Sequence, residues 1–217
     1  MIITKLEAQK KNAGRINLYI DDVFFCGISA DTLVQFNLYV KKEIDQELLD
    51  SILNQEIYNR IYDRALSYIT GSMKSQKQLR DKLKEVLYKK KGIWFKEDYY
   101  HEALLHIDNV ISKLESFGYI NDLEYARVFV ENRNRNKPRS ILQLKQELVL
   151  KGISKNIIDD VLAGFDTTQA ILDVYNKKYN GEKLDINDNK KVGYLARKGF
   201  SYDDITKLVN ILNDTEE

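Results

Sequence analysis

The chain has 217 residues, with 34 lysines and arginines against 33 aspartates and glutamates, 43% hydrophobic and 31% charged residues, and a net charge of +1. Such a composition belongs to a soluble globular protein with a modest core, and global charge names no partner. No run of about 18 apolar residues occurs, which excludes a membrane-spanning helix. The lone Cys26 excludes an internal disulfide, and Met1–Lys5 opens no signal-peptide pattern, so the expected location is the cytoplasm.

From the N-terminus, Ile2, Leu6 and Ala8, then Ile16, Leu18 and Ile20, alternate as strand residues do, with Asn12-Ala13-Gly14 read as the turn between them. Asp21-Asp22 reads as a tight hairpin turn into Val23-Phe24-Phe25-Cys26, where Cys26 is expected to be a buried small hydrophobe. Residues 1–28 are therefore expected to form a small antiparallel sheet. Ser29 should cap a short helix ending near Phe36, and Val40-Lys41-Lys42 reads as a further short strand.

From Asp45 the period changes. Leu48, Leu49, Ile52, Leu53, Ile57, Ile61, Leu66 and Ile69 fall at spacings of three and four, which predicts a helix over about 45–70. Further helices are expected near 75–90, 98–117, 121–136, 139–151, 154–163, 167–180, 187–198 and 201–213. Pro138 is the one proline, and it stands at a helix start, where it is tolerated. Gly92, Gly118, Gly152 and Gly199 fall at helix ends, and Asp122, Ser154 and Ser201 at helix starts.

The chain repeats itself. Leu148 to Ser154 and Leu195 to Ser201 share a leucine, three residues, a glycine, an apolar residue and a serine, followed by Ile158 and Ile205 at the same place. Ser75, Leu79 and Leu83 match Ser140, Leu144 and Leu148, with Val86–Tyr99 as an insertion. The predicted fold class is mainly α. It comprises three tandem three-helix repeats in an elongated curved array, with a small N-terminal β-hairpin or sheet region. The expected boundaries are 1–44 for the β-rich extension and 45–118, 119–164 and 165–217 for the repeats.

Charge is sorted along this array. Lys74, Lys77 and Arg80 open a basic block on the middle helix of the first repeat, and Arg133, Arg135, Lys137, Arg139 and Lys145 form one in the second. Lys190, Arg197 and Lys198 recur in the third. These eleven residues are the candidate partner-binding set. A basic ridge repeated along an array suits an acidic protein groove or a phosphate backbone; for any single lysine the alternative is a solvated face. Tyr99, Tyr100, Tyr119, Tyr125 and Phe129 are candidates to stack bases or to pack between helices, and Trp94 and Phe95 stand in a lysine-rich loop.

Catalysis finds little in the sequence. His101 and His106 lie five apart, about 140° around a helix, and are poorly placed to share a metal. Neither HExxH nor GxxxxGK[ST] occurs, and the adjacent pairs Asp21-Asp22, Asp159-Asp160 and Asp203-Asp204 point apart. No catalytic, cofactor or metal site is assigned.

Several segments together resemble one family. Arg64-Ala65-Leu66-Ser67-Tyr68 with Ser75 to Leu83 is similar to the opening of the RecX regulators. Phe117-Gly118-Tyr119-Ile120-Asn121-Asp122 with Tyr125-Ala126 resembles their central signature. Leu144 to Ile153 and Leu195 to Ser201 resemble their second and third repeats. The N-terminal region looks like the extension of the Gram-positive members. The resemblance implies a regulator that binds the RecA protein and its filament on single-stranded DNA and restrains filament growth, ATP hydrolysis, strand exchange and SOS induction. No cofactor and no membrane contact are expected, and a monomer is the default. The second reading is a direct DNA-binding protein or transcriptional regulator of helix-turn-helix-like units, with weak direct DNA binding as its minimal form.

Overall fold

A computed structural model describes residues 1–10 and 12–214. Three strands, β1 (Ile3–Gln9), β2 (Asn12–Ile20) and β3 (Val23–Ser29), form an antiparallel sheet in that order. Asp21 and Asp22 both take positive φ, 47° and 64°, the backbone of a two-residue turn whose twist matches the strands it joins. Asn12 to Gly14, expected as a turn, is already strand: Asn12 pairs with Gln9, and Lys10 is a turn residue. Val40–Lys42 is not a strand. Lys41 has φ 75°, and this segment crosses the β1 edge through Lys41 N–H to the Ile3 carbonyl and Ile3 N–H to the Lys42 carbonyl. The segment thereby occupies the Ile3 end of this sheet edge.

Ten α-helices are described after the sheet: α1 (Ala30–Gln35), α2 (Gln46–Ile69), α3 (Gln76–Lys90), α4 (Tyr100–Ser116), α5 (Asp122–Asn136), α6 (Ile141–Leu150), α7 (Lys155–Leu162), α8 (Thr168–Tyr179), α9 (Asn189–Arg197) and α10 (Tyr202–Asp214). Ser29 caps α1 and Asp45 caps α2, each side chain accepting an N–H of the first turn. Asn121, not Asp122, caps α5; Asp122 instead accepts the Gln76 N–H at the start of α3. That N–H is a helix-start donor with no partner inside its own helix, and a carboxylate there also meets the positive end of the helix.

The described chain divides into two compact units. One holds Met1–Met73 and Leu79–Tyr119, the other Lys74–Gln78 and the chain from Ile120 onward. In the first, Ile3, Leu18, Cys26 and Ile28 bury one sheet face against Leu49 and Ile52 of α2. Each such side chain contributes roughly 1.5–3 kcal/mol. Farther along, Ile57, Ile61 and Ala65 are buried, as are Leu79, Leu83 and Leu87 of α3 and Ala103, Ile107 and Val110 of α4.

Glu56 of α2 is 1% exposed and ties the sheet to the helices. Its carboxylate accepts Arg15 Nη2 at 2.7 Å, the Ser29 N–H at 2.7 Å and the Thr32 hydroxyl at 2.5 Å. Beside it, burial above all and then the Glu56 charge push the Cys26 thiol up to about 12, so it stays protonated.

His106 on α4 packs edge-on to Tyr58, its ring half sunk and its Nε2 buried without a hydrogen-bond partner. Burial holds its pKa below the ordinary value against a smaller opposing pull from Glu102. The unfolded chain therefore takes up this proton first as pH falls through about 6.5. Stability should be fully present above that pH, decline below it, and level off under the folded pKa. The parent is expected to lose more thermal midpoint between pH 7.5 and 5.5 than His106→Gln; equal losses would show that this ring is not the source.

In the second unit, Tyr125, Ala126, Val130, Leu144, Leu148 and Ile158 form the core of α5–α7, and Ala170, Ile171, Tyr175, Leu195, Ile205 and Leu208 that of α8–α10. The matched serines of the repeat do matching work. Ser75 Oγ accepts the Gln78 N–H and donates to the Lys151 carbonyl at 2.6 Å. Ser140 Oγ accepts the Gln143 N–H and donates to the Lys198 carbonyl at 2.9 Å. Both serines are fully buried. In each case the next residue along the accepting turn is a glycine in the left-handed region, Gly152 or Gly199, both at φ 82°.

Candidate partner-binding surface

The eleven cations fall into local sets. Lys74 and Lys77 belong to the second unit, where the aliphatic stem of Lys77 lies on Gly152; a Cβ built there would meet Lys77 Cβ at 2.4 Å. Lys77 thus packs with its stem while the residue as a whole stays exposed. Arg80, in the first unit, pairs with Asp108 through Nη2 at 2.6 Å and Nε at 3.2 Å.

Arg133 and Arg139 are brought together. Glu147 of α6 receives Arg133 Nε at 2.6 Å on one oxygen and Arg139 Nε at 3.2 Å on the other. One half-buried carboxylate thereby fixes two planar guanidinium groups, and Arg133 also lies over the Phe129 ring. Two cations on one carboxylate leave a local surplus of positive charge. Arg135, in the last turn of α5, and Lys137, at its C-cap, are exposed. Lys145 pairs with Asp159 at 3.0 Å.

On α9, Lys190, Arg197 and Lys198 are exposed. Here the structure adds a group that the charge pattern missed. Tyr175, Tyr179 and Tyr194 pack in succession, the first pair tilted with ring centroids 5.1 Å apart and the second edge-on at 5.7 Å. Lys178 Nζ stands 3.9 Å from the Tyr194 ring centre, Lys191 faces Tyr179, and Lys198 faces Tyr194. The Tyr179 hydroxyl is buried without a partner. The visible signal was the four-residue spacing of Tyr175 and Tyr179, which puts both on one helix face.

The other aromatic candidates divide. Tyr125 is buried and stacked on Phe129, and Phe95 is buried against Tyr100. Tyr99 donates its hydroxyl to Asp50 at 2.6 Å. Tyr119 is exposed beside Phe117, and Trp94 lies half buried under Arg60. Chemically, this surface offers positioned guanidinium and ammonium groups to an anionic partner. Among the described residues no three His, Cys, Asp or Glu side chains converge as metal ligands, and no helix is long and apolar enough to cross a membrane.

Comparison with known proteins agrees with this architecture along the chain. Residues 1–45 match the family model of the regulatory protein RecX N-terminal domain, and residues 121–162 that of the RecX second three-helix domain. The chain is 33% identical to the regulatory protein RecX of Clostridioides difficile (strain 630), covering all of this chain and 98% of that one. Its identity to the regulatory protein RecX of Clostridium perfringens (strain 13 / Type A) is 30%, covering 99% and 97%. A crystal structure of regulatory protein RecX superposes with a TM-score of 0.69 at 25% identity, over 96% of this chain and 98% of that one. RecX from Lactobacillus salivarius shares the fold at a TM-score of 0.58 and 24% identity, over 73% and 98%. With its sheet, its serine-jointed helix triplets and this full-length similarity, the chain belongs to the RecX family of regulatory proteins.

Proposed function

We propose that this protein binds the RecA recombinase filament on single-stranded DNA and restrains its growth, ATP hydrolysis and strand exchange, and with them recombination, repair and SOS induction. It acts in the cytoplasm as a monomer, by binding and not by catalysis. Residues 1–44 serve as an extension, and 45–118, 119–164 and 165–217 as three repeats. The full-length similarity to regulators named RecX carries this reading. The surplus cations at Arg133, Arg135, Lys137 and Arg139, and at Lys190, Arg197 and Lys198, supply the contact with an acidic groove.

RecA ATPase on single-stranded DNA is expected to fall when this protein is added well below one copy per RecA. Unchanged turnover at equal stoichiometry would overturn the reading. Arg135, Lys137, Lys190 and Arg197 are exposed, so reversing all four to Glu should leave the thermal midpoint alone and weaken inhibition by about tenfold or more. Full inhibition by that variant would remove these residues from the contact.

The exposed Lys178 and Lys198 at the Tyr194 ring favour a second reading, direct contact with a single strand of nucleic acid. The same assay separates the two. Direct binding persists without RecA and weakens with salt, by a slope of about 0.7 for each phosphate neutralised.

A further inference from the structure

A cleft of about 950 Å³ lies in the first unit between β3, α2 and the segment Gly92–Tyr99. Its floor includes Leu49, Leu53 and Ile20, all buried. Its lips are Val23, Phe24 and Ile93, exposed by 68%, 54% and 71%. Large apolar side chains gathered at a concave surface are costly to leave in water and mark a contact for another molecule. At one side Arg60 lies over the Trp94 ring, 5.6 Å from its centre. Those two residues also line a second hollow of about 340 Å³, which adds Arg15, Arg64 and Asp63.

The charges in that hollow do not cancel. Arg15 is matched by Glu56, and Asp63 offsets one more cation. Arg60 donates to the Gly27 carbonyl and faces the Trp94 ring, both neutral. Burial, and then the Arg15 charge, lower its pKa against a smaller opposing pull from Glu56. The other end of the site argues against a phosphodiester chain. Val23 and Ile93 are aliphatic, not stacking surfaces, and Asp21 at the same cleft repels phosphate, while Glu97 is paired with Lys91. Plain strand addition is also disfavoured, because β3 shifts register around Phe25 and the Gly27 carbonyl is taken by Arg15 and Arg60.

We propose that this cleft docks a segment of a partner protein in which aliphatic side chains stand next to a carboxylate. The aliphatic groups lie between Phe24 and Ile93, and the carboxylate reaches Arg60 and Arg64. This assignment does not depend on the proposed action at a recombinase.

The test is selection of random twelve-residue displayed peptides on the full-length protein. Binding is then read from the fluorescence of Trp94, the one tryptophan of the chain. Ile93→Asp and Arg64→Glu both change exposed side chains and should fold as the parent does, by circular dichroism. The expected result is enriched peptides with aliphatic residues beside Asp or Glu, a shifted Trp94 emission, and binding at least tenfold weaker in each variant. Several outcomes would overturn the proposal: no peptide that distinguishes parent from Ile93→Asp, an enriched set without acidic residues, Trp94 emission that answers to oligothymidylate instead, or self-association abolished by Ile93→Asp.

Discussion

Replacing Glu56 by alanine is expected to cost about 3–5 kcal/mol of stability, the usual cost of removing one partner from a buried ion pair. Three donors lose their acceptor at once: the Arg15 guanidinium, the Ser29 N–H and the Thr32 hydroxyl. Arg15 is largely enclosed, with 17% of its side chain exposed, so water restores little of what the carboxylate gave. The donors come from β2, the end of β3 and the start of α1, while Glu56 is on α2. Denaturant unfolding should therefore show the sheet region failing first. Adding Arg15→Met to the alanine variant should recover part of the loss by removing the stranded charge. A loss below about 1 kcal/mol would mean that the network is replaced by solvent.

The second large effect is expected at Gly152. Any other residue there takes a left-handed backbone, at about 1–2 kcal/mol, and brings a Cβ to 2.4 Å from Lys77 Cβ, which overpacks the joint by a further 1–3 kcal/mol or so. Gly118 is the control: its φ is 74°, but nothing lies within 4 Å of its added Cβ. Gly152→Ala should lower the thermal midpoint by about 4–20 °C and Gly118→Ala by about 2–8 °C, the first shift the larger. Equal shifts would show that the contact with Lys77 yields without cost.

These two sites mark where the sequence was readable and where it was not. The long helices were legible because Leu49, Ile52, Leu53, Ile57 and Ile61 repeat with the helical period and do face the core. The glycines at 92, 118, 152 and 199 were legible as helix ends, and all four have positive φ. Val40–Lys42 misled because its β-branched start and charged continuation resemble an edge strand, while a left-handed Lys41 turns the chain. Asp122 was taken for a cap because it opens the helix; a local reading had no access to the Gln76 N–H that it serves from 46 residues away. Nothing in the helical pattern marks Glu56, since only folding surrounds it with three donors. The candidate surface was legible as charge blocks. That Glu147 clasps two of the arginines, and that tyrosines lie beneath three of the lysines, depends on contacts between helices which periodicity does not report.

The serine joints also set a direction. A serine at a helix start has a hydroxyl that receives from its own helix and gives to the neighbouring turn, so Ser75 and Ser140 act as two-sided connectors. The corresponding place at the start of α9 is held by Asp188, which accepts the N–H groups of Lys190 and Lys191. An ionised carboxylate has no proton to give, and it repels a carbonyl oxygen brought up to it. In this chain the link between triplets is thus made by serine at the starts of α3 and α6, whereas the aspartate at the start of α9 caps its own helix.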